Sequence, residues 1–456
     1  MHPRSTTILV SVLVGALLLA ALAATPPARG GTFVSGRLVE EMGSTEILGG
    51  GDYLFVKFGE DAVFGVLWGN VTNPNHIHIV VLKARYLGVA EVVDANGRRI
   101  AENVPVKYWT LHAVKLLDLV EVRDLDGDNL GNYTRGFDGA NFTSFAETDE
   151  VPKMVSLGTT WTRGPIQTAG DDTGRSWSFN LTAENLPYIG VNNAVTPRGD
   201  NVLNHVGFAF HLTAALEQVD NVTVPSWKIT IDTAQLRPAV LGAERLGNVT
   251  RSGTVARYSL KWDQNITGWD FEAPGTRRLL LEFAAIVGNL IPPTAANWLN
   301  DRFVRDRNET GRARYETAGR NETVDNRTGN VSAPRPLRSP YVEFGGDWTR
   351  IGRFTWVTAS TVDGTPAPLY AQILAGRGLV ARGPYGGAFV GFVILGALSF
   401  AEGDEILHDP TVTTDAIAEL LPVPTGNEGV FLAVAVVVAI VLVGVAAIVL
   451  SRKKKR

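Results

Sequence analysis

Apolar and polar residues alternate in short runs through most of the chain, the period-two signature of half-buried strands. Residues 53–68 (YLFVKFGEDAVFGVLW) are aromatic and β-branched, broken at Gly59 and Asp61. Similar runs follow at 77–86, 88–93, 106–122, 177–182, 206–214, 227–232, 256–262, 278–283, 353–359, 369–374 and 388–400. Asp94-Ala95-Asn96-Gly97 supplies a hairpin turn, because Asn-Gly tolerates the positive φ angles such a turn requires. Leu116, Leu117 and Leu119 leave a helix open within 106–122, and residues 284–299 are the best candidate for an amphipathic helix. Many short strands with Gly and Asn turns predict a mainly β fold: an antiparallel β-sandwich ectodomain, as one large or two packed sandwiches.

Two stretches carry no alternation. Residues 429–450 (GVFLAVAVVVAIVLVGVAAIVL) hold no charged side chain and run into Ser451 and the cluster Arg452, Lys453, Lys454, Lys455 and Arg456. About 20 apolar residues wound as a helix match the ~30 Å hydrocarbon core of a bilayer, and a helix satisfies its own backbone polar groups there. At the other end, Arg4 precedes an apolar run over 8–24, and Ala21 and Ala23 flank Leu22. That pattern predicts a secretory signal peptide over 1–23, with an uncleaved anchor as the alternative. Basic residues beyond the C-terminal span belong in the cytoplasm. The expected localisation is the cell membrane, single-pass type I, with the bulk of the chain extracellular.

Within the exported part the expected order is a β-rich stretch over 32–150, then a second over 151–410, with a boundary near Asp149 where TDEVP interrupts the strands. Residues 300–340 are dense in Arg and polar residues and cannot bury enough apolar surface to offset their ordering entropy, so a polar excursion is expected. An Arg-rich loop for anionic glycans is the other reading of that stretch. Residues 411–428 hold Pro422, Pro424 and Gly426 and read as a stalk below the span.

Composition narrows the class. The chain of 456 residues has no cysteine, which removes thiolate chemistry and cysteine-bound metal centres. Setting aside Arg4 and the five tail cations leaves 36 positive charges against 46 acidic residues, near −10, so nucleic acid is not an expected partner. The sequon N-x-[S/T] occurs eleven times, at Asn70, Asn132, Asn141, Asn180, Asn221, Asn248, Asn265, Asn308, Asn321, Asn326 and Asn330. Chance would give about three, so glycosylation on an exposed chain is expected. Thr following β-rich turns accounts for part of the excess.

The best candidate for chemistry is Asp124-Leu125-Asp126-Gly127-Asp128-Asn129. Alternating carboxylates with a Gly to bend the chain can converge on a hard cation such as Ca²⁺, with Asn132 or Asp138 completing the shell. It departs from an EF-hand, whose sixth position is Gly and twelfth Glu; here they are Asn129 and Arg135. A solvated Asp-rich turn is the competing reading. His76 and His78 share one strand face without a third ligand nearby, and His112, His205, His211 and His408 stand apart. G-x-S-x-G and H-E-x-x-H are both missing. Asp263, Asp270 and Glu272 lie beside Trp262 and Trp269, a pairing that would suit a glycosidase, although acids near Trp are common in aromatic β-proteins.

The order of these pieces resembles uncharacterised archaeal exported, single-pass membrane-anchored surface proteins. The matching residues are Asp124-Leu125-Asp126-Gly127-Asp128, Gly268-Trp269, Val362-Asp363-Gly364 and His408-Asp409-Pro410. The resemblance implies surface display and a β-rich body, and implies no activity. The expected function is a cell-surface-anchored glycoprotein of structural or adhesive type, stiffened by calcium, with membrane lipid through 429–450 and surface proteins or glycans as partners. A membrane-tethered hydrolase and a glycan-binding module are the alternatives; the lack of a nucleophile motif favours the non-enzymatic reading.

Overall fold

The computed structural model describes residues 38–58, 62–138, 141–147, 149–171, 173–190, 201–232, 239–272, 277–291, 312–317, 320–325, 335–345, 350–382 and 388–420. These form a mainly β protein whose strands pair antiparallel, with one parallel exception. Its only helical turn among the described residues is the 3-10 turn Ile47–Gly49. Strands on both sides of Asp149 share one sheet: Arg99–Arg123 pairs with Lys153–Ser156 and with Arg277–Ile291.

The strand Arg277–Ile291 explains one failed expectation. Residues 284–291 are strand and not the start of a helix. Leu279, Leu281, Phe283, Ala285 and Val287 enter the main core, while Leu280 and Ala284 enter a second cluster on the opposite face. With both faces buried, the polar half of the alternation disappears and the run imitates a helix. The neighbouring strand behaves alike: Leu116 and Leu119 face the main core, Leu117 and Val120 the second, so the helical reading of 116–119 is also replaced by strand. Aromatics fill the main core. Trp262 stacks on Phe354 with ring centroids 5.8 Å apart and planes 6° from parallel.

Two long hairpins outrun the body. One joins His78–Asp94 to Arg99–Arg123, the other Val202–Asp232 to Ala239–Thr267. Their outer halves lie side by side through the parallel pairing of 226–231 with 89–94. Gly88 permits this contact: its φ is +140°, and a Cβ there would sit 2.0 Å from the Pro225 carbonyl oxygen. Val89 and Val224 form a small core of their own, with Val222 and Val249 against it. The four-stranded arm curls, because Arg251 on one outer strand donates from Nη2 to Asn103 Oδ1 on the other at 2.7 Å.

The C-terminal end differs from expectation. Thr411–Leu420 is a strand and no stalk: it pairs with residues 253–261 of the second hairpin and with Arg350–Thr355, and Val412 is fully buried. Within the polar stretch 300–340, Arg312–Thr317 and Arg320–Asp325 form a hairpin that continues onto Tyr341–Gly345. The expected signal peptide, stalk residues 421–428, span 429–450 and tail lie outside the described residues. Among the described residues no helix is long and apolar enough to cross a membrane.

Candidate functional site

The strand Arg99–Arg123 delivers Asp124 directly into the acidic turn. Gly127 at φ +76° and Asn129 at φ +67° reverse the chain. Asp124 is buried and caps the turn, its Oδ1 accepting from the Gly127 N–H at 2.7 Å and its Oδ2 from Asn129 N–H at 2.8 Å. Asp126 and Asp128 are exposed, and one carboxylate oxygen from each of the three Asp residues falls within 4.8 Å of the others. Asn132 joins them: its Nδ2 donates to Asp126 Oδ2 at 2.9 Å and to Asp128 Oδ2 at 3.1 Å. Asp138 stands at the far end of the strand Tyr133–Asp138, in the separate hairpin with Asn141–Glu147, and only its backbone is described.

The turn rests on a rigid floor. Arg278 donates from Nε to Ser399 Oγ and from Nη2 to the Ser399 carbonyl, both at 3.0 Å, and Ser399 Oγ donates to the Asn129 carbonyl at 2.8 Å. Buried Gln372 grips Gly131 twice, accepting from its N–H at 2.9 Å and donating to its carbonyl at 2.8 Å. Asp149, also buried, accepts from the N–H groups of Leu125 and Asn132. Burial holds the Asp149 carboxyl above the ordinary carboxylate range, and the charges of Asp126 and Asp124 add to this against those two hydrogen bonds. The result is three converging carboxylates that could hold a hard cation, with the Asn132 amide now presenting its N–H group to two of them.

The Trp–carboxylate pairing resolves differently from a glycosidase cleft. Trp262 is fully buried, and Asp263 points outward to Lys261 at 3.0 Å. Trp269 and Glu272 instead close over a charge network that the sequence did not reveal. Glu121, wholly buried, accepts from Trp269 Nε1 at 3.0 Å and from the Glu272 N–H at 3.1 Å. Lys153 Nζ lies 3.7 Å from one Glu121 oxygen and 3.6 Å from Glu272, and Arg277 Nη1 lies 3.4 Å from the other. Lys153 also donates to the Asp270 carbonyl and sits over the Tyr188 ring at 4.3 Å. Burial raises the Glu121 carboxyl, and the Trp269 and Glu272 donors and both cations oppose the rise. The bonds from Trp269, Glu272 and the Asp270 carbonyl to Glu121 and Lys153 pin residues 269–272 to the body.

The remaining motifs also prove to be fasteners. Asp363, at the turn between Ala359–Val362 and Thr365–Pro368, accepts on Oδ1 from the N–H groups of Asp404 and Glu405. Gly268 N–H donates to the Asp404 carbonyl, and His408 Nε2 bonds the Val357 carbonyl. Burial keeps the imidazoles of His76, His78, His112 and His408 below their ordinary value. The Lys115 charge works against protonation at His76 and His78, which equally disfavours a metal cation there.

On the outer face of the sheet lies a cavity of about 430 Å³, whose wall includes Asn180, His205, Asp263, Asn265, Thr361 and Asp409. Gly207 and Ala209 also line it, with the His205 ring lying over Gly207, where a Cβ would meet Nε2 at 2.8 Å. His205 Nδ1 pairs with Glu184 at 2.6 Å and His211 Nε2 with Asp263 at 3.1 Å along the same face.

Sequons with described side chains avoid the core. Asn180, Asn221 and Asn248 are exposed, while Asn70, Asn132 and Asn265 are half-buried. Asn70 Nδ2 donates to Asp52 and Asn132 Nδ2 to the acidic turn, so a glycan on either would displace one of the hydrogens used. Asn141 and Asn321 are described by backbone alone, and Asn308, Asn326 and Asn330 lie outside the described residues. Compared with protein families, curated proteins and solved structures, the chain matches none.

Proposed function

We propose that this chain is a cell-surface glycoprotein of structural or adhesive type, its β body a sandwich held outside the cell by a membrane span over 429–450. The observation that carries this reading is the placement of Asn180 and Asn221, two sequons standing exposed, the first between the core residues Phe179 and Leu181 and the second on the arm. A glycan is bulky and hydrated and fits only such positions. The body's charged groups are spent on fastening: Glu121, Lys153, Arg278 and Asp363 each serve packing. Calcium at Asp124, Asp126 and Asp128, with Asn132 turned to offer its oxygen, would stiffen the turn and relieve the crowding around Asp149. The cavity beside Asn180 and Asn265, with Phe208 and Leu407 among its polar walls, suits a sugar, which has apolar faces and hydroxyl edges.

Intact mass of the native protein tests the glycan component. A mass above that of the processed chain, returning to it after deglycosylation, is expected; a bare mass overturns it. For the cation, chelation should lower the melting temperature and Ca²⁺ restore it, and Asp126→Ala should remove the response. A melting curve indifferent to chelator and to Asp126→Ala leaves the turn a turn.

A further inference from the structure

Three large apolar side chains on the arm are exposed: Ile100 at 38%, Leu241 at 55% and Leu246 at 52%. Each is the extra residue of a β-bulge. Val92 pairs with Ala101 and Val93 with Arg99, skipping Ile100. Ile231 pairs with Val240 and Thr230 with Gly242, skipping Leu241; Trp227 pairs with Arg245 and Ser226 with Gly247, skipping Leu246. Bulges at a sheet edge re-aim side chains and interrupt the ladder that would otherwise recruit another strand. The arm therefore displays apolar groups from both of its outer strands, Ile100 on one and Leu241 and Leu246 on the other, at edges ill-suited to strand pairing.

The direction of the last strand says what they meet. Thr411–Leu420 runs antiparallel to the second hairpin's outer strand and ends opposite Gly253, so its final residues point along the arm toward the tip. Leu241 lies twelve residues beyond that level, about 40 Å at ~3.3 Å per residue. Nine peptide steps separate Leu420 from Gly429, the first residue of the apolar run, and fully extended they reach at most about 32 Å. The tether is shorter than the arm beside which it leaves.

From this geometry we infer that the arm is a second membrane contact, with Leu241, Leu246 and Ile100 seated in the interfacial layer of the bilayer in which residues 429–450 are anchored. The inference rests on the reading of 429–450 as a span. With the arm upright, its tip would enter the hydrocarbon; tilting the body lays the bulged edges along the headgroups, where isolated Leu and Ile side chains are favourably buried. The outer half of the arm mixes both charges, Arg98, Arg99, Lys228 and Arg245 among Glu91, Asp94, Glu102, Asp232 and Glu244.

The absence of cysteine makes the test direct. Full-length protein carrying Leu241→Cys, Leu246→Cys or, as a control in the acidic turn, Leu125→Cys is labelled with a polarity-sensitive fluorophore and reconstituted into phosphatidylcholine vesicles. Flotation after an alkaline carbonate wash reports the span independently. The expected result is flotation of all three, with blue-shifted emission at 241 and 246 quenched by lipid-borne quenchers, and emission at 125 quenched only by aqueous iodide. Flotation with all three equally open to iodide overturns the arm contact and leaves the anchor standing. Protection at 241 and 246 that lipid quenchers do not reach, growing with protein concentration, assigns the edge to a second copy and also overturns it. Failure to float removes the span and the arm contact together.

Discussion

Leu420 is paired with Gly253 at the end of an antiparallel ladder, and eight residues earlier Val412 is buried beside Leu260 and Phe354. The last described strand is thus part of the body, although its sequence reads as a spacer. A secreted form ending at residue 420 should keep the body's full stability. One ending at 410 exposes the edges of both neighbouring strands and should melt lower and aggregate, as thermal unfolding with light scattering will show.

Gly88 and Gly97 both have positive φ, at +140° and +80°, but only Gly88 has a neighbour in the way. Gly97→Ala should cost only the local conformational penalty, about 1–2 kcal/mol. Gly88→Ala adds a collision with the Pro225 carbonyl, so the arm's two hairpins must separate. Its loss in denaturant unfolding should exceed that of Gly97→Ala, with proteolysis opening first in the arm.

Glu121, wholly buried, stands between two cations and two N–H donors. Glu121→Gln keeps the volume and removes the charge, leaving Arg277 without the carboxylate beside it and Lys153 with Glu272 alone. A loss of about 3–5 kcal/mol is expected, read from chemical denaturation, together with altered fluorescence of Trp269. Lys153→Met, which removes one cation and keeps its packing, should cost less.

Much of the fold was legible because half-buried strands alternate: Val206, Phe208, Phe210 and Leu212 face inward while His205, His211 and Thr213 face out. Where both faces are buried, as in Arg277–Ile291, the period vanished and a helix was expected. Bulges hid the arm, since each shifts the alternation by one residue at Ile100, Leu241 and Leu246. The acidic turn was visible because its members are neighbours in sequence. Asp138 was not excluded by spacing, since the strand that carries it away is set by pairing with Asn141. Trp269 and Glu272 stood out in the sequence, but nothing local joins them to Glu121, Lys153 and Arg277, which separate segments bring together.

His76 and His112 are held near a pKa of about 3, the first by burial and the Lys115 charge, the second by burial and Lys83. Unfolded, both titrate near the ordinary value of about 6.5. These depressed values contribute stability that is full above about pH 6.5 and declines as the pH falls toward about 3, because only the unfolded chain takes up the protons. Each such His steepens the decline by about 1.4 kcal/mol per pH unit. Glu121 and Asp149, whose values are raised, act in the opposite sense as they protonate. Denaturant midpoints between pH 7 and pH 5 should fall, and His112→Leu should flatten the slope.

Surface display is the central claim, and single-cysteine accessibility on intact cells tests it most directly. Leu125 is 60% exposed on the body, and Ser451 follows the apolar run. A membrane-impermeant maleimide should label Leu125→Cys on intact cells and Ser451→Cys only after the membrane is opened. Labelling of Ser451→Cys from outside, or of Leu125→Cys only after lysis, would contradict the account.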